Sequence, residues 1–381
     1  MNHLRPVVLL LLAGCSRLQA PLRVGPRGVL LRDGKPFHAI GVNYFGCFAR
    51  TLRDPADRSY EQGFAELARR GIPFCRFMAC GFWPKDWELY LRDRRRYFRL
   101  LDRVVRSAER HGIGLIPSLF WHSATVPDIV GEPRNQWGNP RSKTHAFMRR
   151  YVREVVTRYR GSPAIWGWEF GNEYNLAADL PNAARHRPKV VPRLGTPTRR
   201  SAADDLSHRD IEVAFAEFAR EVRRYDPIRP LFTGNSAPRP SAWHQWKEKT
   251  WAQDAESQFA ERLLRDNPDP VDTITVHIYW DRQRRFGREV GVEEFLRLAN
   301  EIARRAGKVL FVGEFGACEP GANGEAIARK RFARILEAIR RTGVPLAALW
   351  VFDYRGQSAT WNVTPTNPRS YQLEAIATKR P

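Results

Sequence analysis

From residue 22 onward, short apolar runs alternate with longer stretches that repeat apolar positions at helical spacing. The short runs are Phe37–Asn43, Ile72–Met78, Gly114–Trp121, Ile165–Phe170, Leu231–Thr233, Thr273–Tyr279, Val309–Gly313 and Leu346–Phe352. Most are apolar on both faces, which predicts strands covered on both sides of a parallel sheet. The stretches between them include Tyr60–Arg70, Tyr97–His111, Thr144–Arg160, Leu206–Tyr225, Val292–Ala306 and Gly324–Arg341, and these predict amphipathic helices. Gly71, Gly112, Gly307 and Gly343 stand where such helices must stop before the next strand. Eight strands alternating with helices and no linker predict an α/β fold, a single (β/α)8 TIM barrel with long strand-to-helix loops. A doubly wound sheet needs no eighth strand and usually carries a Gly-rich phosphate turn, which this chain lacks. Ahead of the barrel, Val29-Leu30-Leu31 followed by Asp33-Gly34 predicts a hairpin.

Two strands end on a carboxylate. Ile165-Trp166-Gly167-Trp168-Glu169-Phe170-Gly171 runs into Asn172-Glu173, and Val309-Leu310-Phe311-Val312-Gly313 runs into Glu314. Either Glu alone could cap the helix that follows. Two of them at the C-terminal mouth of a barrel, where that fold gathers its chemistry, predict the acid and nucleophile-or-base pair of glycoside hydrolysis. Three long segments, 174–205, 234–250 and 354–370, leave the same end and are expected to build the substrate surface.

Charge changes this picture little. The 381 residues carry a net charge of +22, and of the 63 basic residues only nine are lysine. The arginines are spread through the predicted helices rather than gathered in one arm, and no nucleic-acid motif accompanies them, so nucleic acid is not an expected partner. The first residues read as an address. His3 and Arg5 precede the apolar run 7–13, and Leu12-Ala13-Gly14-Cys15-Ser16 follows. Such a run is too short to span a bilayer and predicts a processing signal. Leu-Ala-Gly-Cys resembles the bacterial lipobox, which implies a signal peptide over residues 1–15 and a lipid on Cys15. The expected product is a monomeric, exported cell-envelope lipoprotein of one catalytic domain (22–377), with Ser16 after the Cys pointing to the outer membrane; the alternative is secretion after cleavage near Ala20. The remaining Cys47, Cys75, Cys80 and Cys318 fit no zinc pattern. They are read as buried thiols or as one disulfide, Cys47 with Cys80.

Further polar and aromatic residues occupy the other strand ends: Arg76, His122, Asn172, His277, Tyr279 and Trp350. Together with Glu173 and Glu314, in this order on these strands, they resemble clan A glycoside hydrolases, most nearly glycoside hydrolase family 5, the cellulase and mannanase family. The resemblance spans roughly residues 22 to 377. It implies a cofactor-free, metal-free retaining hydrolase of β-1,4-linked glucan or mannan, with Glu173 as acid/base and Glu314 as nucleophile. It further implies that Arg76 and Tyr279 donate to Glu314, that Asn172 meets the sugar 2-hydroxyl, that His122 and His277 contact substrate hydroxyls, and that Trp350 lies under the ring. Trp121 and Trp243 are expected among the sugar-stacking residues. Tyr174 stands where the family usually has proline, which, with the long segment to Asp205, leaves the subsites and the exact substrate open; an exo-acting β-glucosidase or β-mannosidase is one alternative. A non-catalytic glycan-binding barrel is the other alternative, although both Glu positions are filled.

Overall fold

The computed structural model describes residues 21–321 and 324–377. Eight parallel strands form the barrel: β1 (Ala39–Asn43), β2 (Phe74–Met78), β3 (Gly114–Phe120), β4 (Trp168–Gly171), β5 (Leu231–Phe232), β6 (Thr273–Ile278), β7 (Val309–Phe315) and β8 (Leu346–Leu349). Their lateral order is β5-β4-β3-β2-β1-β8-β7-β6, the nearly closed ring of a TIM barrel. Side chains bridge the seam between β5 and β6. Thr273 Oγ1 donates to the Leu231 carbonyl at 2.6 Å, and Asn267 Oδ1 accepts from Thr233 Oγ1 at 2.7 Å and from the Thr275 N–H at 3.1 Å. These bonds satisfy polar groups that a continuous ladder would otherwise pair.

Helices α1 (Ser59–Arg69), α2 (Arg94–His111), α3 (Lys143–Tyr159), α4 (His208–Arg223), α5 (Glu256–Arg265), α6 (Val292–Arg305), α7 (Gly324–Arg341) and α8 (Tyr371–Ile376) follow the strands in turn. Each presents its apolar stripe to the sheet, and most of their arginines point outward, although Arg262 of α5 is buried. In α2, Tyr97, Leu101, Val104, Val105 and Ala108 are buried. Its start is set by Asp93, whose side chain accepts the Arg96 N–H, and its stop by left-handed Gly112.

The predicted opening hairpin is present, Val29–Arg32 turning at Asp33-Gly34 to pair with Lys35–Pro36, and the small sheet gains a third strand, Arg23–Gly25, along the other side of Val29–Arg32. It sends Leu22 and Leu30 into a second core with Phe74, Ile116, Trp166, Phe232 and Phe311, which closes the bottom of the barrel. Arg32 lies 4.0 Å over the Trp166 ring, a contact worth about 0.5–1 kcal/mol. A second hairpin, Arg282–Arg285 with Arg288–Gly291, was not foreshadowed, because its arginines hide the strand pattern. The predicted last strand stops three residues early, at Leu349, where the chain turns out to pair Phe352 with Val363. Cys47, Cys75, Cys80 and Cys318 are all free thiols, so the disulfide alternative does not hold. Cys15 and the signal segment lie outside the described residues. Among those residues no helix is long and apolar enough to cross a membrane.

Candidate active site

Arg76, on β2, is fully buried at the mouth of the barrel and organises the site. Its Nε lies 2.8 Å from both carboxylate oxygens of Glu169 on β4. Nη1 donates to Glu314 Oε1 at 2.7 Å and to Asn43 Oδ1 at 3.0 Å, and Nη2 to Asn172 Oδ1 at 2.8 Å. A buried cation is tolerable only when charge and donors are matched in this way. Asn43 in turn donates to the Gly313 and Ala348 carbonyls, tying β1 to β7 and β8.

Glu314 owes its aim to a bulge in β7. Val312 pairs with Val276, yet Glu314 pairs with the next residue, His277, so Gly313 is the extra residue. A bulge of this kind re-aims the side chain beside it. Gly313 also leaves room for its neighbour, since a Cβ there would lie 2.9 Å from His277 Nε2. The Tyr279 hydroxyl donates to the other oxygen of Glu314. Burial, then the charge of Glu314, holds the Tyr279 pKa well above the ordinary phenol value, so this hydroxyl keeps its proton.

Glu173 leaves β4 in the left-handed region, at φ 53°. For a residue with a side chain that conformation costs on the order of 1–3 kcal/mol. Its N–H is anchored to the Gly234 carbonyl at 2.8 Å. The next residue, Tyr174, is buried with its hydroxyl on the Phe120 carbonyl at 2.7 Å and its ring against Trp137 and Phe170. An aromatic anchor thus sets the chain's exit where the family usually has proline. The Glu173 carboxyl has its pKa raised by burial, against the opposing influence of Arg76 and the Ser236 hydroxyl.

One oxygen each of Glu173 and Glu314 and one nitrogen of His277 lie within 4.8 Å of one another. His277 Nδ1 is 2.9 Å from Glu173 Oε1 and 3.5 Å from Glu314 Oε2. Burial, reinforced by Arg76 and opposed by Glu314, pushes its pKa down to about 3, so the ring is neutral. It then donates through Nδ1, while Nε2 has no bond partner among the described residues. The trio has a spacing that could hold a metal ion. However, both oxygens of Glu314 already accept bonds, and the Arg76 cation sits against them, so the donor set suits proton handling better than metal binding.

The sequence-predicted residues divide into three groups. Arg76, Asn172, Glu173, His277, Tyr279 and Glu314 meet directly. His277 does so behind the carboxyls, with no side-chain exposure, rather than on the substrate side where the sequence reading placed it. His122, Trp121 and Trp350 border them. Trp121 is wedged beneath Arg76, 4.5 Å from its guanidinium, and stacks on Trp350 at 6.1 Å, so it is a support and not an open platform. Trp350 keeps a partly exposed ring, fixed through Nε1 to Gln357 at 2.8 Å. His122 packs between Phe82 and Trp83, its pKa pushed down to about 4 by burial and by Arg134 and Arg200. Trp243 is elsewhere: its indole N–H donates to Glu261 on α5 at 2.8 Å, and the neighbouring Trp246 lies under Arg262 and Arg265 of that helix. Both indoles are committed to packing, which corrects the stacking assignment of Trp243.

Sequence reasoning missed Glu169 and Asn43. Glu169 had a signal, since a lone charge inside an apolar strand requires a buried partner. Trp361 packs edge-on against Tyr279 with ring centroids 4.9 Å apart, brought there by a loop whose path no local pattern encodes.

Comparison with known proteins agrees with this geometry. The cellulase (glycosyl hydrolase family 5) model matches residues 31–356. Over 80 residues the chain is 39% identical to a probable mannan endo-1,4-β-mannosidase F of Aspergillus flavus, covering 19% of this chain and 17% of that protein. It is 40% identical over 80 residues to mannan endo-1,4-β-mannosidase A of Podospora anserina, covering 19% and 21%. The chain thus spans about a fifth of the length of the curated relatives it matches. Among solved structures, the endo-1,4-β-mannanase of Rhizomucor miehei superposes with a TM-score of 0.65 at 14% identity, covering 94% of this chain and 98% of that one. A β-glucanase of Saccharophagus degradans gives 0.56 at 16% identity, covering 94% and 93%. With eight parallel strands, a carboxyl pair at their mouth and a family match across most of its length, the chain belongs to glycosyl hydrolase family 5.

Proposed function

We propose that this protein is a retaining β-glycoside hydrolase acting on a β-1,4-linked mannan or glucan by double displacement. The observation that carries this reading is the closeness of Glu173 and Glu314, whose nearest oxygens lie within 4.8 Å. Retaining glycosidases hold their carboxyl groups about 5–5.5 Å apart, whereas inverting enzymes need about 6.5–9.5 Å to admit a water. Glu314, held by Arg76 and Tyr279, is the nucleophile. Its oxygen attacks the anomeric carbon while Glu173, its pKa raised by burial, delivers its proton to the departing oxygen. Water, deprotonated by Glu173, then releases the sugar from Glu314. Asn172, fixed by Arg76, is placed to meet the sugar 2-hydroxyl, and Trp350 to underlie the ring. The mannan endo-1,4-β-mannosidase names of the local relatives make mannan the first substrate to try. Hydrolysis of galactomannan, carboxymethylcellulose, lichenan and xylan, with the first product's anomer followed by NMR, tests the reading; an inverted product overturns it.

Exo-action is the second reading. Segment 174–205 reaches from the end of β4 across to the loops after β2 and β3. A Cβ on Gly195 would lie 2.8 Å from Pro84, and Arg134 Nε donates to the Asp204 carbonyl at 2.7 Å. A strap so placed favours a cleft closed at one end. Export as a lipoprotein anchored through Cys15 remains part of the proposal, supported by the lipobox-like sequence.

A further inference from the structure

We infer that Glu169 is a positioning residue that carries the counter-charge of Arg76 while Glu314 is esterified to the sugar. This deepens the double-displacement reading and rests on it. In the free site the Arg76 guanidinium faces two carboxylates, Glu169 through Nε and Glu314 through Nη1. Glycosylation makes a bond between a Glu314 oxygen and the anomeric carbon, breaks the bond to the leaving group and removes the charge of Glu314. Arg76 is fully buried and stays cationic, so without a second anion the intermediate would hold an unpaired buried charge. Glu169 is itself fully buried on β4 and does not reach the substrate. Its carboxyl is boxed in by Arg76 from β2, Ser118 from β3 and Glu314 from β7. The chain after β5 closes the fourth side, since a Cβ on Gly234 would lie 3.0 Å from the Glu169 carboxyl carbon. Such a carboxylate can act only through the arginine.

The protonation of Glu169 gives the inference a distinctive consequence. Burial pushes its pKa up to about 7, against the pull of Arg76 and the Ser118 hydroxyl. The counter-ion is therefore fully present above neutrality and lost as pH falls, so its contribution to forming the intermediate is lost in the same direction.

The test uses 2,4-dinitrophenyl 2-deoxy-2-fluoro-β-mannoside, with the gluco analogue in parallel. Its leaving group needs no acid, and its glycosyl-enzyme is long-lived. Wild type should be labelled on Glu314. Glu169→Gln should be labelled more slowly by about tenfold or more near pH 8, and the two rates should converge below about pH 5, where wild-type Glu169 is itself protonated. A purely structural role gives a ratio that does not change with pH, and that result overturns the inference, as do equal rates near pH 8. If Glu169→Gln fails to fold, the wild-type profile serves instead. Its labelling rate should fall as pH drops from about 8 to about 5, above the ordinary carboxylate range, and a flat rate across that window overturns the inference. Wild type that takes no label on Glu314 removes the double-displacement reading, and this inference with it.

Discussion

Arg200 grips Asp128 through two parallel bonds, Nη1 to Oδ1 at 2.6 Å and Nη2 to Oδ2 at 2.8 Å. Both side chains are nearly buried, and Asp204 adds a second carboxylate 3.4 Å from Nη1. This fork fastens segment 174–205 to the short helix Thr125–Val130, which lies between β3 and α3 close behind His122 in the chain. Removing one partner of such a pair leaves a buried charge uncompensated and costs on the order of 3 kcal/mol. Arg200→Ala should therefore lower the melting temperature by several degrees. It should also loosen the strap, so that kcat/KM on hexasaccharide rises relative to disaccharide. Unchanged length dependence, measured on purified oligosaccharides, shows that the strap does not close the cleft.

Under the proposed roles, the two carboxyls should fail in different ways. Glu314→Ala should abolish turnover, with azide restoring a product of inverted anomeric configuration. Glu173→Ala should hurt natural substrates far more than activated aryl glycosides, which need little protonation. The pH profile follows from the same roles. Glu173 works as an acid only while protonated, and burial raises its pKa. Activity on polysaccharide should therefore persist above the ordinary carboxylate range and then fall as pH rises. With dinitrophenyl glycosides that alkaline fall should weaken. Equal losses on both substrate types, or the same alkaline limb for both, contradict these roles.

Much of this was legible in the chain because barrel strands are apolar on both faces, so a charge at a strand end stands out. Glu173 and Glu314 announced themselves in that way, and their flanks located β4 and β7. The bulge at Gly313 did not, because register depends on what β6 offers across the ladder. Trp243 misled for a related reason. An indole in a long loop reads equally as platform or packing, and only the position of Glu261 on α5 decides between them. Glu169 was hidden by its aromatic neighbours Trp168 and Phe170, although its charge was the clue.

Lipidation is separable from catalysis. Cys15→Ser should shift the protein out of the membrane fraction or leave the signal uncleaved, while hydrolysis by the folded barrel persists. Fractionation and mass spectrometry of the N-terminus check this. A Cys15→Ser protein that matures and fractionates like wild type contradicts the lipoprotein proposal.

The last prediction concerns acid stability. Two residues beyond Glu173, Asn175 donates from Nδ2 to Asp266 Oδ2 at 2.9 Å and accepts the Ser236 N–H at 3.1 Å, bracing the exit of β4. Asp266 also receives Arg262 at 2.7 Å and faces His208 Nε2 at 3.2 Å, while His208 Nδ1 meets Asp179 at 2.7 Å. Burial opposes the charge on Asp266, yet Arg262, His208 and Asn175 hold its pKa down at about 2. A carboxylate with a depressed folded-state pKa stabilises the protein above its unfolded value near 4, and that contribution fades as pH falls toward 2. The shift is worth on the order of 2 kcal/mol at neutral pH. Asp266→Asn should therefore lower stability at pH 7 by about that amount and flatten the loss between about pH 4 and pH 2. Because Asn175 loses a charged acceptor, kcat should fall more than KM rises. Denaturant midpoints across that pH range, read beside the kinetics, check both parts. A variant with wild-type acid sensitivity shows that Asp266 carries no such linkage.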